Sequence, residues 1–260
     1  MFKQVLLLAL GFVSAAGGQA QGPLRVAAAA DLEPVLPRIL AQFQQLTGIQ
    51  TEGTYQASAA LTTQIQNGAP VDVFLSADLS YPKRLISAGL ADAAGTKDSL
   101  SPIIYARGTL VLWSRKDSKL PPPSLELLRN HGLRRLAIAN PDRAPYGRAA
   151  VTAIVSLKLY DSLRARLVTA ENISQAAQFV DSGNADAGLI SLTSALAPRL
   201  VASGVYFVIP KELYPPIEQG AVIVSRTTER TAAHKLLDFL LSSPVQAQLA
   251  KAGLTPVDAK

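Results

Sequence analysis

Apolar residues along the chain fall into two patterns. Short continuous runs at 24–30, 71–75, 109–113, 136–139, 187–190, 205–209 and 220–225 predict buried strands. Between them come stretches with the helical period. In the clearest of these, positions 32, 35, 36, 39, 40, 43 and 46 are apolar and Gly48 stands ready as a left-handed cap. Its start is open: Asp31 as the cap leaves Pro37 in the interior, whereas Glu33 as the cap puts Pro34 at the first helical position. Further helices are predicted after Ser58, closed by Asn67-Gly68, and from Tyr81 to Gly89. Two more finish the chain, the second opening at Ser243-Pro244 and ending before Gly253. Leu120-Pro-Pro-Pro-Ser124 reads as a stiff connector, with Ser124 capping a short helix over 125–129. Strands alternating with helices predict an α/β fold with mostly parallel sheets. In such sheets ligands sit beyond the carboxyl ends of strands, where turns enter helices.

The first twenty residues break this pattern. Lys3 supplies one positive charge, 5–13 are apolar, and small residues follow down to Ala20. That is the composition of a secretory leader, too short for a membrane span, with cleavage expected after Ala20 and Ala16 as the alternative. No later segment is apolar for long enough to span a bilayer, so an exported soluble protein is expected.

Composition narrows the chemistry. Lys+Arg is 25 against Asp+Glu 19, a net charge of +6, but the basic residues are scattered in pairs such as Lys83/Arg84 and Arg134/Arg135 without interleaved aromatics. This argues against nucleic acid as a partner and leaves a diffuse field that favours small anions. The absence of Cys excludes disulfides, thiolate catalysis and thiolate metal sites. His131 and His234 are the only histidines and neither has a supporting motif, so a structural or solvated role is expected for each.

Five turns stand out: Ala28-Ala-Ala-Asp31, Gln56-Ala-Ser58, Ser76-Ala-Asp78, the segment from Asn140 to Gly147, and Glu171-Asn-Ile173. Several place small residues just before a helix. Small side chains let a ligand approach the backbone, and free N–H groups at helix starts hold anions without any cation. Nucleophile-elbow, dinucleotide, Walker and zinc-hydrolase motifs are missing. Asp72 and Asp78 are placed at a strand and beyond its end, which favours separate structural roles, and Asp142-Arg143 reads as an exposed turn.

At these residues the chain resembles the periplasmic molybdate-binding proteins, the substrate-capturing subunits of ABC importers. The resemblance is carried by Val26-Ala-Ala-Ala-Ala-Asp-Leu32, by Gly68-Ala-Pro-Val-Asp-Val-Phe-Leu-Ser-Ala-Asp78 and by Leu136-Ala-Ile-Ala-Asn-Pro-Asp-Arg-Ala-Pro-Tyr-Gly147. Ala170-Glu-Asn-Ile173, Gly183-Asn-Ala-Asp-Ala-Gly188 and the stretch from Leu237 to Gly253 extend it over the whole mature chain. It implies a two-lobed, type II binding-protein fold, lobe one being 24–105 plus 216–260 and lobe two 106–215. It also implies a monomer without enzymatic activity or cofactor, whose ligand is molybdate or tungstate and whose partner is a membrane permease.

By the same resemblance the ligand site falls at Asp31, Ser58, Tyr146, Ile173 and Ser191. Ser58 keeps the family's hydroxyl, Tyr146 and Ile173 stand at backbone donor positions, and Ser191 replaces a Tyr. Asp31 departs from the pattern, because a Ser is usual there. A carboxylate beside a dianion is repelled by about 4 kcal/mol per unit-charge pair at 4 Å and an effective dielectric near 20. The side chain is therefore expected to turn away and cap the helix, the alternatives being a protonated Asp31 or a different ligand. Two rival readings follow: Tyr55, Tyr146 and Asp31 as hard oxygen ligands for a ferric ion, and a hydrolase using Ser58 or Ser76.

Overall fold

A computed structural model describes residues 22–92 and 101–257; the leader read at 1–20 lies outside the described residues. The chain opens with β1 (Leu24–Ala29), α1 (Leu36–Thr47), β2 (Thr51–Gln56), α2 (Ser58–Gln66), β3 (Val73–Ser76), α3 (Ser80–Ser87), β4 (Ala91–Asp92) and β5 (Ile103–Gly108). It continues with β6 (Leu110–Arg115), β7 (Leu136–Ala139), α4 (Pro145–Ser156), α5 (Tyr160–Leu163), β8 (Leu167–Ala170), α6 (Ile173–Asp181), β9 (Ala187–Ser191), α7 (Leu192–Ala195), α8 (Pro198–Ser203) and β10 (Gly204–Val208). It ends with β11 (Ile217–Val224), α9 (Arg230–Leu241), α10 (Ser243–Lys251) and β12 (Thr255–Pro256).

Two sheets result. The first has the order β12-β5-β11-β3-β1-β2 with β4 beside β11, and the second β10-β6-β9-β7-β8. Parallel pairing is confined to the blocks β2-β1-β3 and β8-β7-β9, where each connection carries a helix across the sheet face. The other pairings are antiparallel, so the sheets are mixed rather than mostly parallel throughout. The antiparallel strands include β5 and β11, which lead out of the first sheet and back into it. β5 stays in the first sheet through Gly108, paired with Ile217, and β6 begins the second sheet at Leu110.

Local chemistry explains the elements that place the site. β1 lies between β2 and β3, which is why it reads as a continuous apolar run. The predicted face of α1 is buried through Leu36, Ile39, Leu40 and Phe43, each contributing about 1.5–3 kcal/mol. Phe43 meets Phe239 of α9 at 5.6 Å between ring centroids. Gly48 closes α1 at φ 74°, a conformation a side chain would strain. The start of α1 fits neither expected cap. Residues 30–32 form a separate 3-10 turn and α1 begins at Leu36, so Pro37 falls in its first turn, where a missing N–H costs nothing. Ser124 accepts from the Leu127 amide at 3.4 Å, yet only a 3-10 turn over Leu127–Arg129 follows.

Candidate functional site

The five turns meet. Ala29, Ala30 and Asp31 after β1, Gln56 to Ser58 at the start of α2, and Ala77 after β3 form one wall of a cavity. Ala144 to Tyr146 at the start of α4 and Asn172-Ile173 at the start of α6 form the other. The space between them is about 10 Å³, room for roughly one water. Larger hollows lie elsewhere among the described residues, of 260 Å³ beside Arg25, Glu52 and Gln64 and of 810 Å³ between the crossover segments near Gly108 and Tyr214. Neither gathers helix starts. Among the described residues no lysine, arginine or histidine lines the small cavity.

Ser58, Tyr146 and Ile173 are first-turn residues of α2, α4 and α6, whose amides a helix leaves without an intrahelical acceptor. Asn172 caps α6 through its side chain, which accepts from the Gln175 amide at 2.9 Å. Ser58 is not a cap. It occupies the first helical position, is buried, and its Oγ accepts from the Ala77 amide at 3.2 Å, which leaves the hydroxyl proton to donate. Ser191 is spent differently. It caps α7, accepting from the Ser194 amide at 3.2 Å and from the Thr193 hydroxyl at 2.9 Å, and it is not among the cavity-lining residues.

Asp31 corrects the expectation made for it. It lies inside the 3-10 turn, makes no capping bond, and is fully buried. Its Oδ2 accepts from the Tyr146 hydroxyl at 3.2 Å, across the cleft, and from the Gln219 side-chain amide of β11. Its Oδ1 has no partner among the described residues. The side chain is directed to the cleft, where Tyr146 and Gln219 reach it. Burial pushes the carboxyl from its ordinary 3.8 up to about 7, against the opposing pull of the bonds from Gln219 and Tyr146. Burial also holds Tyr146 and Tyr105 well above their ordinary range, with the Asp31 charge adding to it. Tyr146 fits only because residue 108 is Gly: a Cβ there would collide with its hydroxyl.

Bonds between the two walls close the cleft. Ser174 donates to the Ala30 carbonyl at 2.9 Å, and the Ala59 amide donates to the Arg143 carbonyl at 3.2 Å. At the rim, Arg148 of α4 pairs with Asp78, donates to the Tyr81 hydroxyl at 3.2 Å and lies 5.4 Å from the Tyr81 ring centroid. Asp78 meanwhile accepts from the Ser80 and Tyr81 amides in the first turn of α3. Gln219 and Arg148 were not expected from sequence. Gln219 sits just before the run read as a strand from Gly220, and a polar residue inside a buried strand was the available signal. Arg148 lies beyond the Pro-Tyr-Gly turn, where nothing local marks an ion pair with a residue 70 positions away.

The rival readings are not better supported. Tyr55 is not among the cavity-lining residues, and among those described no group of three His, Cys, Asp or Glu could hold a metal ion. Both histidines are exposed, while Ser76 Oγ accepts from the Asp78 amide and Ser58 Oγ from Ala77. Arg143 pairs with Glu171 on the surface at 2.8 Å, and Asp142 is exposed.

Comparison with known proteins accords with this arrangement. The family model described as bacterial extracellular solute-binding protein matches residues 24–255. The molybdate-binding protein ModA of Azotobacter vinelandii is 35% identical over 250 residues, covering 96% of this chain and 95% of its own. Its namesake in Rhodobacter capsulatus is 36% identical over 221 residues, covering 85% and 83%. The solved periplasmic molybdate-binding protein of Azotobacter vinelandii superposes with a TM-score of 0.82 at 33% identity, over 90% of this chain and all of that one. Fold, cavity and kinship agree: the chain belongs to the bacterial extracellular solute-binding proteins, with their two-lobed type II fold, and within them to the family of the ModA proteins.

Proposed function

We propose that the chain captures a tetrahedral oxyanion, molybdate with tungstate as its near-isostere, and delivers it in the periplasm to the permease of an ABC importer. The observation that carries this is the meeting of first-turn amides and the Ser58 hydroxyl at a cavity lined by no cation. Neutral, oriented donors suit an acceptor-only dianion. Nanomolar binding corresponds to about 12 kcal/mol. Each neutral donor to an ionised acceptor supplies about 1.5–3 kcal/mol, so several must act together and each is felt. The ligand contacts are assigned to Ser58, to the amides of Tyr146 and Ile173, and to Asp31, with Ser191 as a capping support behind the site.

The lobes are proposed as expected from the sequence, 24–105 with 216–260 and 106–215, with the first crossover moved to the end of β5 at Gly108. The pairing of β5 with β11 through Gly108 supports that division. They hinge at Thr109 and at the segment returning past Tyr214. Residues 1–20 act as the export leader, and the mature protein works as a monomer. Calorimetry with molybdate, tungstate, sulfate, phosphate and ferric citrate tests the reading. One-to-one binding of molybdate and tungstate is expected, and absence of molybdate binding overturns it.

A further inference from the structure

Asp31 lines the cavity, is fully buried, and has one oxygen fully engaged and one without a partner among the described residues. Both bonds to Oδ2 are donated to it, from Tyr146 and from Gln219. A proton on this carboxyl is therefore directed to Oδ1, the oxygen left open. Among the described residues no cation pairs with the group. The titratable side chains whose ionisation its charge opposes are Tyr146 from α4, bonded to it, and Tyr105 from β5, both held protonated. Among the other charges on neighbouring elements, Arg148 pairs with Asp78, Glu218 with Arg107 and Asp181 with Arg199, while Glu33, Arg38 and Glu52 are exposed to solvent.

Resting on the oxyanion reading above, we infer that Asp31 binds the anion as a neutral carboxylic acid, donating its Oδ1–H to an anion oxygen, so that each anion captured above neutral pH takes up one proton from solvent. The ionised carboxylate presents only lone pairs to a dianion that also presents only lone pairs, and the pair repels. The neutral acid presents a donor in the same place. The raised affinity of this buried group for its proton, with half-titration at about 7, places the changeover within ordinary solution conditions. The proton also has a second source, an oxyanion that carries its own hydrogen. Hydrogen phosphate would then donate to an ionised Asp31, which makes it the discriminating competitor.

The test is calorimetric titration of the purified protein with molybdate between pH 6 and 9, in buffers of differing ionisation enthalpy. The affinity should be level below the midpoint and fall about tenfold per pH unit above it, with proton uptake approaching one per anion. Asp31→Asn, which carries a neutral donor but no titratable group, should flatten the profile and abolish the uptake. A level wild-type profile with no proton uptake overturns the inference while leaving the oxyanion reading intact, as does uptake that persists in Asp31→Asn. Tight binding of hydrogen phosphate that Asp31→Asn destroys also overturns it, because the shared proton then belongs to the ligand. Failure to bind molybdate at every pH removes the oxyanion reading itself, and the inference falls with it.

Discussion

At the amino-terminal end of β3, Asp72 is buried and fully met. Its carboxylate accepts from the Arg25 amide at 2.8 Å, the Arg25 guanidinium at 3.2 Å and the Thr227 hydroxyl at 2.7 Å. At the carboxyl end of the neighbouring strand β1, Asp31 is equally buried, but among the described residues it pairs with no cation and its Oδ1 has no partner. One sheet thus holds two carboxyls at opposite ends under different rules. The first ties β1 to β3 and to the turn after β11, and its environment is complete without a ligand. The second is left incomplete, at the end where turns enter helices. Burial of an acid says little by itself; the partners it lacks say more.

The largest expected effect breaks the comparison at Asp31. In the unfolded chain the carboxyl titrates near its ordinary 3.8, and in the folded protein near 7. Between these values the folded protein keeps a proton that the unfolded chain has released, so stability falls as pH rises through this window and is level above it. The loss is on the order of 4 kcal/mol. Asp31→Asn should leave stability unchanged near pH 4 and raise it by a comparable amount at pH 8, read from urea midpoints. A parallel offset at all pH values would show that the carboxyl is ionised throughout.

Asp72→Ala should act in the opposite direction, lowering stability by about 3 kcal/mol, because it strands the Arg25 amide and guanidinium together with the Thr227 hydroxyl. Molybdate affinity measured on the folded fraction should be unchanged. A loss of affinity would mean that the two ends of the sheet are coupled.

The asymmetry between the two ends was only partly legible in sequence. The strand runs and the α1 face showed because burial on both faces of β1, and on one face of a helix, writes itself as pattern. The five turns showed because small residues and helix starts are local. β2 escaped notice: it is an edge strand, Thr51–Gln56, largely exposed and broken by Gly53. The direction of the Asp31 side chain also escaped. Capping preference is a local rule, whereas Gln219 and Tyr146 reach Asp31 from 188 and 115 positions away. The 3-10 turn that denies it a capping role was not foreseen, although Pro34 and Pro37 marked a disturbed start.

Ser58→Ala sharpens the ligand end with a smaller effect. Removal of one neutral donor should weaken molybdate binding about tenfold, corresponding to roughly 1.4 kcal/mol. It should also cost about 1 kcal/mol of ligand-free stability, since the Ala77 amide loses its acceptor. Ser58→Thr keeps the hydroxyl and should recover most of both. Lowered stability with unchanged affinity would confine Ser58 to holding the two turns together.

The smallest expected effect concerns a third carboxyl, Asp78, which stands at the rim between the two extremes. It has a cation, Arg148, but the side chains are 18% and 41% exposed, and an ion pair so placed contributes no more than about 1 kcal/mol. Its importance is positional, because it joins the two walls of the cleft and exists only when they meet. Arg148→Ala should therefore leave the association rate unchanged and speed release a few-fold, the signature of a bond formed after encounter. Because the pair is partly exposed, raising salt should shrink the difference between wild type and variant. Stopped-flow fluorescence at two ionic strengths measures both. An effect confined to the association rate, or one insensitive to salt, would show that Arg148 steers the anion or packs on Tyr81 rather than fastening the closed cleft.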